Sequence, residues 1–427
     1  MQTHTHRFPG IVSSSHRFEI PLDHESVDGQ TIEVFAREFV AADRADEGLP
    51  YLVYIQGGPG FESPRPARKT GWIGRALDEF RVLLVDQRGT GRSTPVCARS
   101  LAVFSSPAAQ AEYLTHFRAD AIVQDLEFIR KALLGPDKKW TILGQSFGGF
   151  CALNYLSTAP NGLEAALFTG GLPPISGHAD RVYEATYARV LTRNERYFAR
   201  YPEDQDRLDA LADYLRNHEI SLPSGTQLTV RVLQQLGMKL GAHDGAETLH
   251  YLLEAPFIQG PAGPELSFRF LRDVENALSF DTNPIYAILH ESIYCQNEAS
   301  NWSAHRVGEQ NGVIDGVPFR FTGEMVYPWM FEDYVQLRPI AAAAELIAQK
   351  MDWPALYDAE RLAENTVPCA AAIYDDDMYV ERSLSVETAD AMGNMRTWVT
   401  NEFEHNGLRA DGPRILEYLL DLIRGVR

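Results

Sequence analysis

The pentapeptide Gly144-Gln145-Ser146-Phe147-Gly148 constrains this chain more than any other stretch, because of what stands on either side of it. Residues 140–143, Trp-Thr-Ile-Leu, are a short apolar run of the kind that makes a buried strand. From Gly149 onward, Phe150, Cys151, Leu153, Tyr155 and Leu156 supply the apolar positions of a helix packed back on that strand. Gly-x-Ser-x-Gly between strand and helix is a nucleophile elbow, a turn so tight that only glycine fits beside the serine backbone. It pushes the hydroxyl out over the sheet edge, with a helix N-terminus beneath it to favour developing negative charge.

The bare pentapeptide recurs by chance, so its chemistry needs partners elsewhere. Upstream, residues 51–55 read as a strand that runs straight into Gln56-Gly57-Gly58-Pro59-Gly60. An acyl-transfer serine on an elbow needs two backbone N–H groups for the oxyanion, one from such a glycine-rich loop and one from the residue after the nucleophile. Gly58 and Phe147 are the candidates, since Pro59 has no N–H. Downstream, the required order is serine, acid, histidine, each on a loop past a strand. The apolar run 368–374 ends in Asp375-Asp376-Asp377, and the run 396–402 is followed by Phe403-Glu404-His405-Asn406-Gly407. His405 is the last of 12 histidines and the only one beyond the acidic turn. It is the candidate base for Ser146, with Asp377 as the acid that orients it and Asp376 as the second choice.

Three segments keep one order: Gln56-Gly57-Gly58-Pro59-Gly60-Phe61, Val85-Asp86-Gln87-Arg88-Gly89-Thr90-Gly91-Arg92-Ser93 and Gly144-Gln145-Ser146-Phe147-Gly148-Gly149. Together they resemble the proline iminopeptidase (prolyl aminopeptidase) family of α/β-hydrolase serine peptidases, in its longer bacterial branch. The resemblance implies an α/β fold, a mostly parallel central sheet flanked by helices. It places the acid at the end of the seventh core strand in a Gly-x-x-Asp type turn, which Tyr374-Asp375-Asp376-Asp377 overlays, and so favours Asp377. One departure is Gln56, where many relatives carry histidine; that position has no proton chemistry in the triad scheme.

Between about 176 and 347 the strand–helix alternation disappears and helical patterns dominate, at 182–201, 204–217, 228–240, 246–253 and 265–277. The expected organisation is therefore a hydrolase core over 1–175, a mainly helical cap over 176–347 inserted after the sixth core strand, and the rest of the core over 348–427. Early strands are expected at 17–22 and 33–40, an antiparallel entry to the sheet. A helix over 118–134 carries Asp120, Asp125, Glu127, Arg130 and Lys131 on what reads as its solvated face. Asp86, Arg88 and Arg92 are expected to tie loops together around the site.

Composition weighs against several partners. The formal net charge of −19, from 39 basic and 58 acidic residues, disfavours nucleic acid or an anionic membrane. The four cysteines have no metal-type spacing, and Cys151 and Cys369 fall in apolar elements as buried thiols, which suits a reducing compartment. The first residues lack an apolar leader and no stretch approaches 18 apolar residues, so a cytoplasmic location is expected. Neither metal nor cofactor is expected.

An aminopeptidase must hold a charged amine, and a carboxylate placed one residue's length from the serine would do so and fix the register. The resemblance implies cap glutamates for this: Glu324 in Thr322-Gly-Glu-Met-Val-Tyr-Pro-Trp329, and Glu291 in 289–296, with Glu298 in reserve. Tyr294, Tyr327, Trp329 and Phe331 are candidate walls for a pyrrolidine ring. The expected substrate is a peptide or amino-acid amide with a free N-terminal proline. A broader aminopeptidase releasing di- or tripeptides, or a carboxylesterase, would share the core, and a non-catalytic scaffold of the same fold would lack labelling at Ser146. The sequence leaves the oligomeric state open.

Overall fold

The computed structural model describes residues 2–26, 29–261, 263–314 and 316–427. Among them, nine strands form one sheet: β1 (Gln2–Phe8), β2 (Ile11–Pro21), β3 (Thr31–Ala41), β4 (Tyr51–Ile55), β5 (Arg81–Asp86), β6 (Trp140–Gln145), β7 (Leu163–Thr169), and later Cys369–Tyr374 and Met395–Thr400. A separate hairpin pairs β8 (Phe257–Gly260) with β9 (Gly263–Leu266). Numbering Cys369–Tyr374 as β10 and Met395–Thr400 as β11, the sheet order is β1-β2-β3-β5-β4-β6-β7-β10-β11. The first three strands are antiparallel, and from β5 to β11 every pairing is parallel. This is the expected α/β-hydrolase sheet, extended by β1 at one edge.

Side-chain alternation along the strands builds two cores. Ile142 and Phe168 pack with Cys151 and Leu153 of the elbow helix Phe147–Thr158 and with Leu126 of the helix Ala119–Leu134. Leu143 and Leu167 face the other way, onto Leu416, Leu419 and Leu420 of the closing helix Gly412–Arg424. Each such fully buried leucine contributes about 2 kcal/mol through the apolar surface it removes from water.

The parallel register brings the carboxyl ends of the strands level. Ile55 pairs with Gly144, Gln145 with Thr169, and Tyr374 with Thr400. The loops that follow these residues therefore open onto one rim of the sheet, where ligands of open α/β sheets bind. With the edge strand β1 set aside, β7 is the sixth strand in chain order, and after it the chain leaves the sheet until β10. The intervening segment is mainly helical, with long helices at Ala179–Arg200 and Glu203–Asn217.

Several expectations need correction. The helical pattern read at 265–277 begins in the β8–β9 hairpin, and the helix itself is Phe268–Leu278. The face of Ala119–Leu134 expected to be solvated is so only in part: Lys131 is exposed, but Asp125 is 2% exposed and accepts from Arg88 Nε at 2.7 Å, with His24 Nε2 2.8 Å away. Arg130, 4% exposed, donates to Glu127 at 2.6 Å. Arg88 also donates to the carbonyls of Leu22 and His116, so it clamps β2 and two loops, the tying role expected of this turn. Asp86 likewise accepts from the backbone N–H groups of Ser63 and Arg92.

Candidate active site

Ser146 stands between β6 and the helix Phe147–Thr158 with φ +55° and ψ −128°, a strained conformation for a residue with a side chain. Its neighbours explain the glycines. A Cβ on Gly148 would overlap the Ile55 carbonyl, one on Gly144 would overlap the Gly148 carbonyl, and one on Gly57 would come within 2.7 Å of the Ser146 Cβ. The Ser146 N–H donates to the Thr169 carbonyl at 3.1 Å, which locks the elbow to β7. Phe147 opens the helix, so its N–H is among the first four that lack an acceptor inside the helix.

The acidic turn after β10 sends its three carboxylates in three directions. Asp375 pairs with Arg382 at 2.5 Å, and Asp376 with Arg196 of the helix Ala179–Arg200 at 2.7 Å. Asp377 alone of the three turns inward and is 1% exposed. Its Oδ1 accepts from the Tyr379 and Val380 N–H groups at 2.8 and 3.0 Å, and its Oδ2 lies 2.7 Å from His405 Nδ1. That partner places the proton of the neutral ring on Nδ1 and leaves Nε2 as the acceptor. Burial disfavours the imidazolium, but the Asp377 carboxylate and then Glu324 more than offset it, raising the pKa of His405 above its ordinary 6.5.

Ser146 and His405 line one cleft of about 660 Å³. Gln145, next to the serine, brings its Nε2 to 3.5 Å from His405 Nε2. Among the described residues Ser146 and His405 are not hydrogen-bonded to each other; such bonds are often long without substrate and tighten in the complex. Gly57 and Gly58 lie in the same lining, and Gly60 packs so closely on the insertion that a Cβ there would be 2.8 Å from the Tyr286 N. Gln56 accepts from Tyr54 Oη at 3.1 Å through its side chain, and its carbonyl accepts from Gln87.

The insertion supplies the opposite wall. Glu324 is in the lining and accepts from Tyr286 Oη at 2.9 Å. Glu291, the other glutamate expected beside the substrate amine, is held differently from Glu324. It is 6% exposed, outside the cleft lining, and its two oxygens accept from the Ser303 and Ala304 N–H groups at 3.1 and 2.8 Å. It thus satisfies the N-terminus of the helix Ser303–Asn311, whose preceding residue Trp302 is left-handed and offers no side-chain cap. Burial raises the Glu291 pKa, partly offset by Ser300 and those two N–H groups. Glu298 is half-buried and also outside the lining.

The aromatic walls differ from expectation as well. Tyr327 and Trp329 stack on each other at 5.1 Å, and Tyr327 Oη lies 2.9 Å from Tyr187 Oη, in the core of the insertion. With Tyr294 and Phe331, they stand outside the lining; Phe61, Phe280, Tyr286 and Tyr379 take that place. Tyr379 meets His405 edge-on at 4.8 Å and was legible only as a residue two positions past the acid. Tyr286 had no sequence signal, since it lies in an apolar helical run like many core tyrosines. Away from the cleft, Glu203, Asp204 and His250 bring possible metal-ligand atoms together. Asp204 there accepts from Tyr197 and Arg207 and lies 2.9 Å from His250 Nδ1, so its oxygens already have protein partners.

Comparison with known proteins agrees with this architecture. A family model described as the alpha/beta hydrolase fold matches residues 50–288. A proline iminopeptidase of Aeromonas sobria is 52% identical over 97% of this chain and 97% of its own. A proline iminopeptidase of Aspergillus aculeatus is 35% identical over 98% of this chain and 95% of its own. A third, from Neisseria gonorrhoeae, is 30% identical over 29% of this chain and 33% of its own. With near-complete coverage in both directions, this chain belongs to the proline iminopeptidase family of α/β hydrolases.

Proposed function

We propose that this protein is a serine aminopeptidase that releases proline from the free N-terminus of peptides or amino-acid amides. The observation that carries the reading is a single cleft lined by Ser146, by His405 with its buried Asp377, and by the Glu324 carboxylate on the facing insertion. Glu324 would hold the substrate's ammonium group about 4 to 6 Å from the attacked carbon, the reach of one residue's own bonds. A longer N-terminal extension would collide with that wall.

In this mechanism Ser146 attacks the prolyl carbonyl while His405 Nε2 takes its proton, and Asp377 holds the ring in the required tautomer. The Gly58 and Phe147 N–H groups receive the oxyanion, each worth about two to three powers of ten in turnover. His405 then protonates the departing amine, and water, deprotonated by the same ring, releases proline from the acyl-enzyme. Residues 176–347 act as the cap that excludes water and shapes the pocket. A cytoplasmic site fits the four unpaired cysteines, three of them buried. Among the described residues no helix is long and apolar enough to cross a membrane.

The test is hydrolysis of proline, alanine and N-acetyl-proline anilides by the purified protein. Proline anilide should be turned over fastest and the blocked compound hardly at all. Equal rates on the free and blocked compounds would overturn amine recognition and favour an esterase-like or broader enzyme.

A further inference from the structure

The cleft carries a second charge that the prolyl chemistry does not use. Among its described lining residues Arg409 is the one arginine or lysine, in a protein of net charge −19. It sits in the short turn Gly407–Ala410, four positions past the catalytic base, with Leu408 beside it 3% exposed and anchoring the turn. The Arg409 side chain itself is exposed and has no ion-pair partner among the described residues, although Glu62 lies in the same lining. An arginine left unpaired at the mouth of a cleft is available to an anionic group of the substrate.

Its position relative to Glu324 gives that group a place. Glu324 is hydrogen-bonded to Tyr286, whose ring stacks on Phe280 of the insertion, whereas the turn Gly407–Ala410 packs on the helix Gly71–Ala76 of the core, whose Trp72 ring lies 4.7 Å from that of Tyr54. His405 feels both charges, with opposite signs. The cleft therefore presents a carboxylate on its insertion wall and a guanidinium on its core rim, with the nucleophile and base in the same lining. With its amine at Glu324 and its carbonyl at Ser146, a peptide that lays its leaving group along the core rim brings it to Tyr54, Trp72 and Arg409. The carboxyl carbon of a dipeptide lies about 4 Å beyond the attacked carbon, and each further residue adds about 3.5 Å.

We propose that Arg409 is a specificity residue that binds the free C-terminal carboxylate of a short leaving peptide, so that prolyl di- and tripeptides are preferred to their C-terminal amides. The inference rests on the aminopeptidase reading above and assigns the substrate class for the leaving-group side. Such a contact acts on peptides that end within reach and fades with length, because a longer chain carries its carboxylate past the mouth.

The experiment compares kcat/KM for Pro-Ala and Pro-Ala-NH2, then Pro-Ala-Ala and its amide, in the full chain and in Arg409→Ala, Arg409→Lys and Arg409→Glu. The native protein should favour the free acid by roughly tenfold at low salt, the size of one charge-assisted contact, and by less at high salt. Arg409→Ala should bring the acid-to-amide ratio close to one, Arg409→Lys should keep part of it, and Arg409→Glu should invert it. A native ratio near one, or a ratio that survives in Arg409→Ala, overturns the inference while leaving prolyl release intact. Failure of the native protein to cleave any of these compounds overturns the aminopeptidase reading and this inference together.

Discussion

The two walls of the cleft are built by different means. Ser146, Asp377 and His405 each stand a few residues past a parallel strand, so the register of β6, β10 and β11 fixes where they meet. Glu324 and Tyr286 belong to the insertion, one in a segment without regular structure and the other in the six-residue helix Pro284–Leu289. Their position depends on how that segment packs over the sheet. In the proposed mechanism the reacting groups are thus anchored in the sheet, and the groups that select the substrate's amino end in the insertion. Substitutions of the reacting groups should abolish turnover whatever the substrate, and those of Glu324 or Tyr286 should change which amino end is chosen.

The largest effect is expected at the elbow. Ser146→Ala should lower kcat by about six powers of ten, to the residual level left by binding and the oxyanion donors. Labelling by a fluorophosphonate probe should vanish with it. An active Ser146→Ala protein would move the chemistry off the sheet wall altogether.

Next is the pair of neighbouring aspartates, which separates the walls within one turn. Asp377→Asn should cost about four powers of ten in kcat, because the amide no longer selects the required tautomer of His405. Asp376→Asn should cost no more than a few-fold, since Asp376 is tied to Arg196 on the insertion helix. Equal losses at the two positions would mean that the turn acts as a unit. Arg193 already joins it to the histidine loop, donating to the Asp376 carbonyl at 3.2 Å and to the Glu404 carboxylate.

The same division governs what could be read from the residues alone. The sheet wall was legible because its requirements are local: a strand, a glycine turn with no room for a Cβ, and a fixed order of serine, acid and histidine. The strand β1 was not, because it is an edge strand whose described side chains are exposed, so it pairs through its backbone without an apolar alternation. Asp125 looked solvated because its partner Arg88 lies 37 residues away and meets it only in the folded chain. Glu291 and Glu324 look alike as sequence. One faces the cleft and the other caps a helix, and that difference arises from long-range packing.

Glu324→Gln sharpens the comparison further, with an expected loss of about 100-fold in kcat/KM for proline anilide, as an unpaired buried ammonium would cost. It should also move the pH profile. The base must be neutral to act, and its raised pKa means activity climbs as pH rises through a value above 6.5. Glu324 is one of the two negative groups that raise it, so removing that charge should shift the acid limb to lower pH. An unmoved limb together with unchanged kcat/KM would take Glu324 off the selective wall.

The smallest effect on activity is expected at Glu291, where the comparison predicts a change in stability instead. Glu291→Ala leaves the Ser303 and Ala304 N–H groups without their acceptors in a buried site, a loss of about 1–3 kcal/mol that thermal unfolding would register as a lower Tm. The proline-to-alanine anilide ratio should stay within about twofold, because the carboxylate lies outside the cleft. The pH dependence has a definite sign. Burial raises the folded-state pKa of Glu291 above its unfolded value, so its ionised form is the less favoured one in the fold. The stability it contributes is therefore fullest below about pH 4.5 and diminishes as pH rises through the raised value, so the gap in Tm between native and Glu291→Ala protein should narrow over that range. A collapse of the proline preference with an unchanged Tm would instead return Glu291 to the substrate, and the two walls could then no longer be told apart by their glutamates.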